Sequence, residues 1–274
     1  MAVSMADIQH LRKMSGAGMM DCKKALEEAN GDYDKAMEII RKKGQAIAAK
    51  REDRDAAEGC AIAASNGDFA AVVALKCETD FVAQNADFVA LTKSILNAAM
   101  ENKPASIEEL NAIVLDGKAI KDAIVDRSGV TGEKMEIGFY EFVNGPLTVA
   151  YNHPGNKLAT VVAFNSADVD AQVAKDIAMQ VAAMSPVAAT RDEVPAELVE
   201  KEFNVAKEKA REEGKPENML DKIAEGRINK FYKESVLMEQ EFVKDPKQTI
   251  KQYLQAANKD FTVTSFKRVT LNAE

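Results

Sequence analysis

The chain has no tryptophan, only two histidines and only three cysteines in 274 residues, and each scarcity removes a class of function. Cys22, Cys60 and Cys77 are far apart, odd in number and without a Cys-x-x-Cys spacing, so neither a disulfide framework nor a zinc site is expected; reduced thiols in a cytoplasmic protein fit this usage. His10 and His153 fall in different segments and make no general base or metal cluster. No apolar run is long enough to span a bilayer, and Asp7, His10, Arg12 and Lys13 interrupt the early apolar positions, so no membrane segment or signal peptide is expected. A phosphate-cradling Gly-x-x-x-x-Gly-Lys-Ser/Thr loop is missing, which argues against nucleotide binding by this chain itself. The formal net charge of −8 disfavours a nucleic-acid-coating role, despite the basic pairs Lys23-Lys24 and Lys42-Lys43. Glu78, Asp80 and Asp87 could gather around a cation, but no glycine-kinked ligand loop accompanies them. No catalytic residue, cofactor or metal is therefore expected, and the chain reads as a binding protein rather than an enzyme.

Three short periodic segments, Ala6 to Met14, Met19 to Ala29 and Tyr33 to Lys43, fill the first fifty residues. They are separated by Ser15-Gly16-Ala17-Gly18 and Asn30-Gly31-Asp32, and Gly44 after Arg41-Lys42-Lys43 is expected to terminate the third. The pattern predicts a three-helix bundle over 1–49 with Ile8, Leu11, Met20, Ala25, Leu26, Ala36, Ile39 and Ile40 in its core. A charged stretch without an apolar stripe, 50–58, reads as a linker.

From Gly59 the period shifts toward two, with Ala70 to Leu75 as a buried strand after the Asn66-Gly67 turn. The same shape returns 89 positions later, where Phe69-Ala70-Ala71-Val72-Val73-Ala74-Leu75 aligns with Leu158-Ala159-Thr160-Val161-Val162-Ala163-Phe164. A helix follows in each case, Phe88 to Met100 and Val173 to Met184, so the core is expected to be two related sheet-plus-helix halves of an α+β fold: 59–140, and 141–190 with 233–274. The interval 191–232 is highly charged. Val199, Phe203, Ala206 and Ala210 before Gly214-Lys215-Pro216, and Leu220, Ile223, Ile228 and Phe231 after it, predict an antiparallel helical hairpin that protrudes either as a dimerisation surface or as a solvated arm. A helix over Thr249 to Ala257 and a strand over Phe261 to Phe266 close the chain.

The segment Cys77 to Asn85 reads as a strand-to-helix loop. Phe81 sits beside Asp80, where a carboxylate keeps the backbone near water and leaves the ring little room to hide. The bland alternative folds Phe81 back as a core plug with Asp80 capping a helical turn. At the matched offset the second half has Asp168-Val169-Asp170-Ala171, so the repeated unit does not require the aromatic, which favours an exposed tip that enters another molecule.

With Gly16-Ala17-Gly18-Met19-Met20-Asp21-Cys22-Lys23-Lys24-Ala25-Leu26, Thr79-Asp80-Phe81-Val82 and Glu225-Gly226-Arg227 in view, the chain resembles the elongation factor Ts family over nearly its whole length. The resemblance implies a UBA-like N-terminal bundle and a guanine-nucleotide exchange factor for the translational GTPase elongation factor Tu, acting alone or as a homodimer in a 2:2 complex. It further implies that Thr79, Asp80, Phe81 and Val82 dislodge Mg²⁺ from the GTPase nucleotide site. Arg12, Met19, Met20 and Lys23 would pack on the GTPase, with Met20 inside and Met19 outside. Thr131, Gly132 and His153 would lie near further contacts. Two departures stand out: Asp176 and Gln180 occupy positions where the family often has a His-x-x-x-His pair, and contacts that some members make through a helical module after the last strand are not expected here.

Overall fold

The computed structural model describes residues 3–272. It is a mixed α/β chain whose helices gather first at the N-terminus. Helix α1 (Met5–Ser15) opens with Ser4 and Asp7 exchanging hydrogen bonds as a capping box, and ends at Gly16 in the left-handed region (φ 70°). Helix α2 (Met19–Glu28) and helix α3 (Tyr33–Lys50) follow, the latter capped by Asp32. Ile8, Leu11, Ala17, Cys22, Ala25, Leu26, Ala29 and Ala36 are buried together, with Met19, Ile39 and Ile40 packed partly against them. Small side chains dominate this core, and they let the three helices approach closely.

Two expectations for these helices are corrected. Gly44 does not stop α3, which continues to Lys50. The glycine is a crossing point instead, because a Cβ placed there would meet the Gly129 backbone at 3.3 Å. Met20 is 64% exposed, whereas Met19 is half-buried on the core. The buried positions of α2 are Cys22, Ala25 and Leu26, and Met19 lies one turn before Cys22 on that face; Met20 is rotated by about 100° away from it.

The core begins with strands β1 (Glu58–Ser65) and β2 (Phe69–Cys77), the latter buried almost throughout. A single turn, α4 (Asp80–Ala83), precedes α5 (Ala86–Asn102). Then come α6 (Ile107–Ala112), the short strands β3 (Val114–Leu115) and β4 (Lys118–Ala119), α7 (Ile120–Thr131) and β5 (Glu136–Asn144). Strands β6 (Leu147–Asn152) and β7 (Leu158–Phe164) and helix α8 (Ala171–Met184), capped by Asp170, follow. Helices α9 (Ala196–Glu212) and α10 (Leu220–Ser235) pack along one another. Strands β8 (Glu241–Phe242) and β9 (Asp245–Thr249), helix α11 (Ile250–Ala257) and strand β10 (Val263–Thr270) finish the chain, the last displaced from its expected start at Phe261.

The sheet orders are β1-β2-β5 and β10-β7-β6. Each has a central apolar strand with the preceding strand on one edge and a later strand on the other, so the 89-residue sequence repeat is also a repeat of connectivity.

The chain divides into two compact units. One runs to Ile62 and takes in 73–140 and the segment from Leu271; the other comprises 63–72 and 141–270. In the second, Val162, Phe164, Ile177, Val181, Leu254 and Phe261 form the apolar centre, with the Phe164 and Phe261 rings stacked at 4.9 Å. Beside that centre Asp176 is buried, accepting from Lys244 Nζ (2.7 Å), Gln172 Nε2 (2.7 Å) and Tyr253 Oη (2.9 Å). Gln180 is fully buried and bonded to Gln240, the Glu241 carbonyl and the Val243 N–H. Asp176 and Gln180 are thus internal fasteners of the β8–β9 segment. No described helix is long and apolar enough to cross a membrane.

Candidate functional site

Strand β2 ends at Cys77, and the chain then turns outward through Glu78 and Thr79. Thr79 is the N-cap of α4: its hydroxyl accepts from the Val82 N–H, and the turn closes through Ala83 N–H to the Thr79 carbonyl (3.1 Å). The expected loop therefore contains a helical turn, capped by Thr79 rather than Asp80. Ala83 is the buried anchor of the turn. Asp80 is exposed, Val82 half-buried, and Phe81 is 86% exposed, the highest value among the exposed large apolar side chains. Phe81 is no core plug. Leaving a ring of this size in water forgoes about 1.5–3 kcal/mol of transfer free energy, which the protein can recover only by covering it.

The turn is held from below. Glu133 accepts from the Glu78 N–H (3.1 Å), the Thr79 N–H (3.1 Å) and the Thr79 hydroxyl (2.6 Å). Glu78 in turn accepts from the Lys134 N–H (2.7 Å) and pairs with Arg51, which caps the C-terminus of α3 (3.1 Å). The Cys77 thiol donates to the Thr79 carbonyl (3.2 Å); burial, with the neighbouring Glu133 charge adding, pushes that thiol up to about 12. Arg127 on α7 donates to Asn85 Oδ1 (2.7 Å), the N-cap of α5, and pairs with Asp87 (3.1 Å). The same guanidinium lies about 4.0 Å from where a Cβ on Gly16 would sit. Arg127 thereby stands between the glycine loop of the first motif and the end of the second, although no pattern in the sequence marks it.

Of the three carboxylates considered as cation ligands, Glu78 and Asp87 are engaged by arginines, and Asp80 is exposed. Among the described residues no group of three or more His, Cys, Asp or Glu could hold a metal ion.

The other expected contact residues are distributed as follows. Arg12, Met20 and Lys23 are exposed on α1 and α2, in the same compact unit as the Thr79–Val82 turn. Thr131 and Gly132 end α7 in that unit: Gly132 is in the left-handed region (φ 75°), and the Thr131 hydroxyl accepts from the Glu133 N–H (3.3 Å). His153 belongs to the second unit, exposed, with its Nδ1 3.0 Å from Tyr151 Oη. Glu133, which holds the base of the tip, and Arg127, which holds the start of α5 just after it, carry no sequence signal because they act across 42 to 55 residues and belong to no local motif.

Comparison with known proteins bears on the same segments. A family model described as elongation factor TS matches residues 78–273, from the base of the tip through the second of the two repeated strands and the paired helices. Elongation factor Ts of Porphyromonas gingivalis is 62% identical over 275 aligned residues, and that of Azobacteroides pseudotrichonymphae 56% over 274, each covering the whole of both chains. Elongation factor Ts of Bacteroides thetaiotaomicron is 48% identical over an alignment of 331 positions, again covering both chains fully. Relatives this similar from end to end, together with a family model whose match begins where the exposed tip does, establish that the chain belongs to the elongation factor Ts family.

Proposed function

We propose that this protein is a guanine-nucleotide exchange factor for the translational GTPase elongation factor Tu, acting in the cytoplasm and without chemistry of its own. It binds the GDP-loaded GTPase, weakens the hold on Mg²⁺ and nucleotide, and leaves when GTP returns. By linkage, nucleotide must weaken the factor by the same ratio as the factor weakens nucleotide. In this reading Phe81 wedges into the GTPase domain while Asp80 disturbs the groups and waters around the metal. Mg²⁺ demands near-ideal octahedral geometry, so a small shift in one supporting group loosens metal and phosphates together.

The observation that carries the reading is the 86% exposure of Phe81 on a capped turn whose backbone is tied down on its inner side. A rigid apolar tip beside an exposed carboxylate suits entry into a preformed cleft. One ring supplies about 1.5–3 kcal/mol, too little to expel a tightly held nucleotide alone. Further contacts come from Arg12, Met20 and Lys23 on the N-terminal helices, taken as a UBA-like bundle over 1–49, with Met19 supporting Met20 from the core side. His153 adds a contact from the second unit, whereas Thr131 and Gly132 act by shaping the base of the tip. Helices α9 and α10 form a helical hairpin over 191–232 that is free to pair two copies.

The test is release of a fluorescent GDP analogue from purified elongation factor Tu at several free Mg²⁺ concentrations. The intact chain should accelerate release, most strongly where Mg²⁺ is abundant, and Phe81→Ala should lose at least about tenfold of the acceleration, the loss expected from forgoing one buried ring. Equal release with and without the chain refutes the assignment.

A further inference from the structure

Among the described residues, Glu133 is the one side chain that receives both backbone N–H groups at the base of the tip as well as the capping hydroxyl of Thr79. The contact is reciprocal. The carboxylate of Glu78, on the tip side, accepts the backbone N–H of Lys134, so each segment offers a carboxylate to the other's main chain. Such an exchange fixes two segments of chain against translation and rotation, which a single bond does not. On its own side Glu133 is held by the left-handed Gly132 and by the Thr131 hydroxyl, which also donates to the Arg127 carbonyl (3.2 Å). Glu78 is anchored in turn through Arg51 at the end of α3.

We propose that Glu133 is the positioning residue of the exchange reaction: it holds Thr79 so that Asp80 and Phe81 project in a fixed orientation before the GTPase arrives. This rests on the exchange reading above. A tip that is already ordered spares the complex the entropy of ordering it on contact. The exposed tip has few contacts of its own to do this, since only Ala83 in the turn is buried. Glu133 touches neither partner nor metal in this scheme, and it acts only through the residues it holds. Thr131 and Gly132 act one step further back, by aiming Glu133.

The chain has no tryptophan, so Phe81→Trp installs a single reporter at the tip. In the intact free protein the time-resolved anisotropy of that indole should show a small fast component from side-chain motion and otherwise decay with overall tumbling; adding Glu133→Ala should enlarge the fast component, and Glu133→Gln, which keeps an acceptor for the two N–H groups, should largely restore the parent decay. In the exchange assay Glu133→Ala should slow stimulated release roughly tenfold in the parent but less than about twofold when Phe81→Ala is already present, because two changes acting through one contact do not add. Thr79→Val, which removes the hydroxyl's bond to Glu133 and its cap on α4 but leaves both backbone N–H groups bonded to Glu133, should fall between the parent and Glu133→Ala and guards against misfolding of the latter. An unchanged indole decay in both Glu133→Ala and Thr79→Val, or an equal loss of rate with and without Phe81, overturns the assignment. If the intact chain does not accelerate release, the exchange reading fails; if it does but Phe81→Ala is as active, the tip has no part in exchange and Glu133 is not a positioning residue for it.

Discussion

Replacing Gly129 by alanine tests the packing that supports the tip. Helices α3 and α7 cross where Gly44 faces Gly129, and the two sites are not equivalent. A Cβ on Gly129 would lie 2.2 Å from the Gly44 Cα and 3.0 Å from its carbonyl carbon, whereas a Cβ on Gly44 would lie 3.3 Å from the Gly129 Cα. Both neighbours are backbone and cannot rotate aside. Ordinary contact needs about 3.5–4 Å, so Gly129→Ala must part the helices by more than ~1 Å while Gly44→Ala asks for only a few tenths. Overpacking costs about 1–3 kcal/mol, a backbone contact as short as 2.2 Å belonging to the upper end at about 2–3, and alanine in a helix returns about 1 kcal/mol over glycine. Gly129→Ala should therefore lose about 1–2 kcal/mol and Gly44→Ala stay within about 0.5 kcal/mol of the parent. In a chain of this size each kcal/mol corresponds to roughly 2–4 °C in Tm. Urea unfolding followed by far-ultraviolet circular dichroism, with thermal melts alongside, gives both numbers. Gly129→Ala as stable as the parent, or Gly44→Ala the more damaging of the two, would refute a glycine-to-glycine crossing.

Phe81→Ala should leave stability within about 0.5 kcal/mol, since an exposed side chain carries little of the fold, and a normal melt with impaired exchange separates recognition from folding. Asp176 should give the second unit an acid-sensitive fastening: burial pushes its carboxyl up, but Lys244, Gln172 and Tyr253 outweigh that and hold it below the ordinary 3.8. Because the folded form prefers the charge, this stabilisation is present above about pH 4 and disappears as pH falls through the lowered folded value; Asp176→Asn should flatten the acid limb of a stability–pH curve. Tyr253, pushed up to about 12 by burial and then by Asp176, contributes below about pH 10 and loses that contribution as pH rises toward 12, and a stability titration at alkaline pH should show it. Cys22, Cys60 and Cys77 are all buried, and burial pushes the Cys60 and Cys77 thiols up, so an aromatic disulfide reagent should label none of them quickly until urea unfolds the chain. Rapid labelling of native protein would contradict that burial.

What the residues determine alone is local. The apolar runs Phe69–Leu75 and Leu158–Phe164 become central strands because near-continuous burial leaves such sequences few other places, and the helices after them follow from period and caps such as Asn85 and Asp170. The tip was legible for a similar reason: a ring beside a carboxylate in a short connection, without a counterpart in the repeat, has little of its own fold to cover it. Tertiary structure decided the rest. Gly44 looks like a helix stop in a linear reading, and only the approach of Gly129 from α7 makes it a crossing point. Met19 and Met20 carry the same chemistry, and the phase of α2 against its neighbours chose which one faces water. Glu133 and Arg127 carry no local signal, because a carboxylate and a guanidinium are equally at home in solvent. They acquire a role only when folding brings backbone N–H groups and an N-cap from 42 to 55 residues away within hydrogen-bond reach.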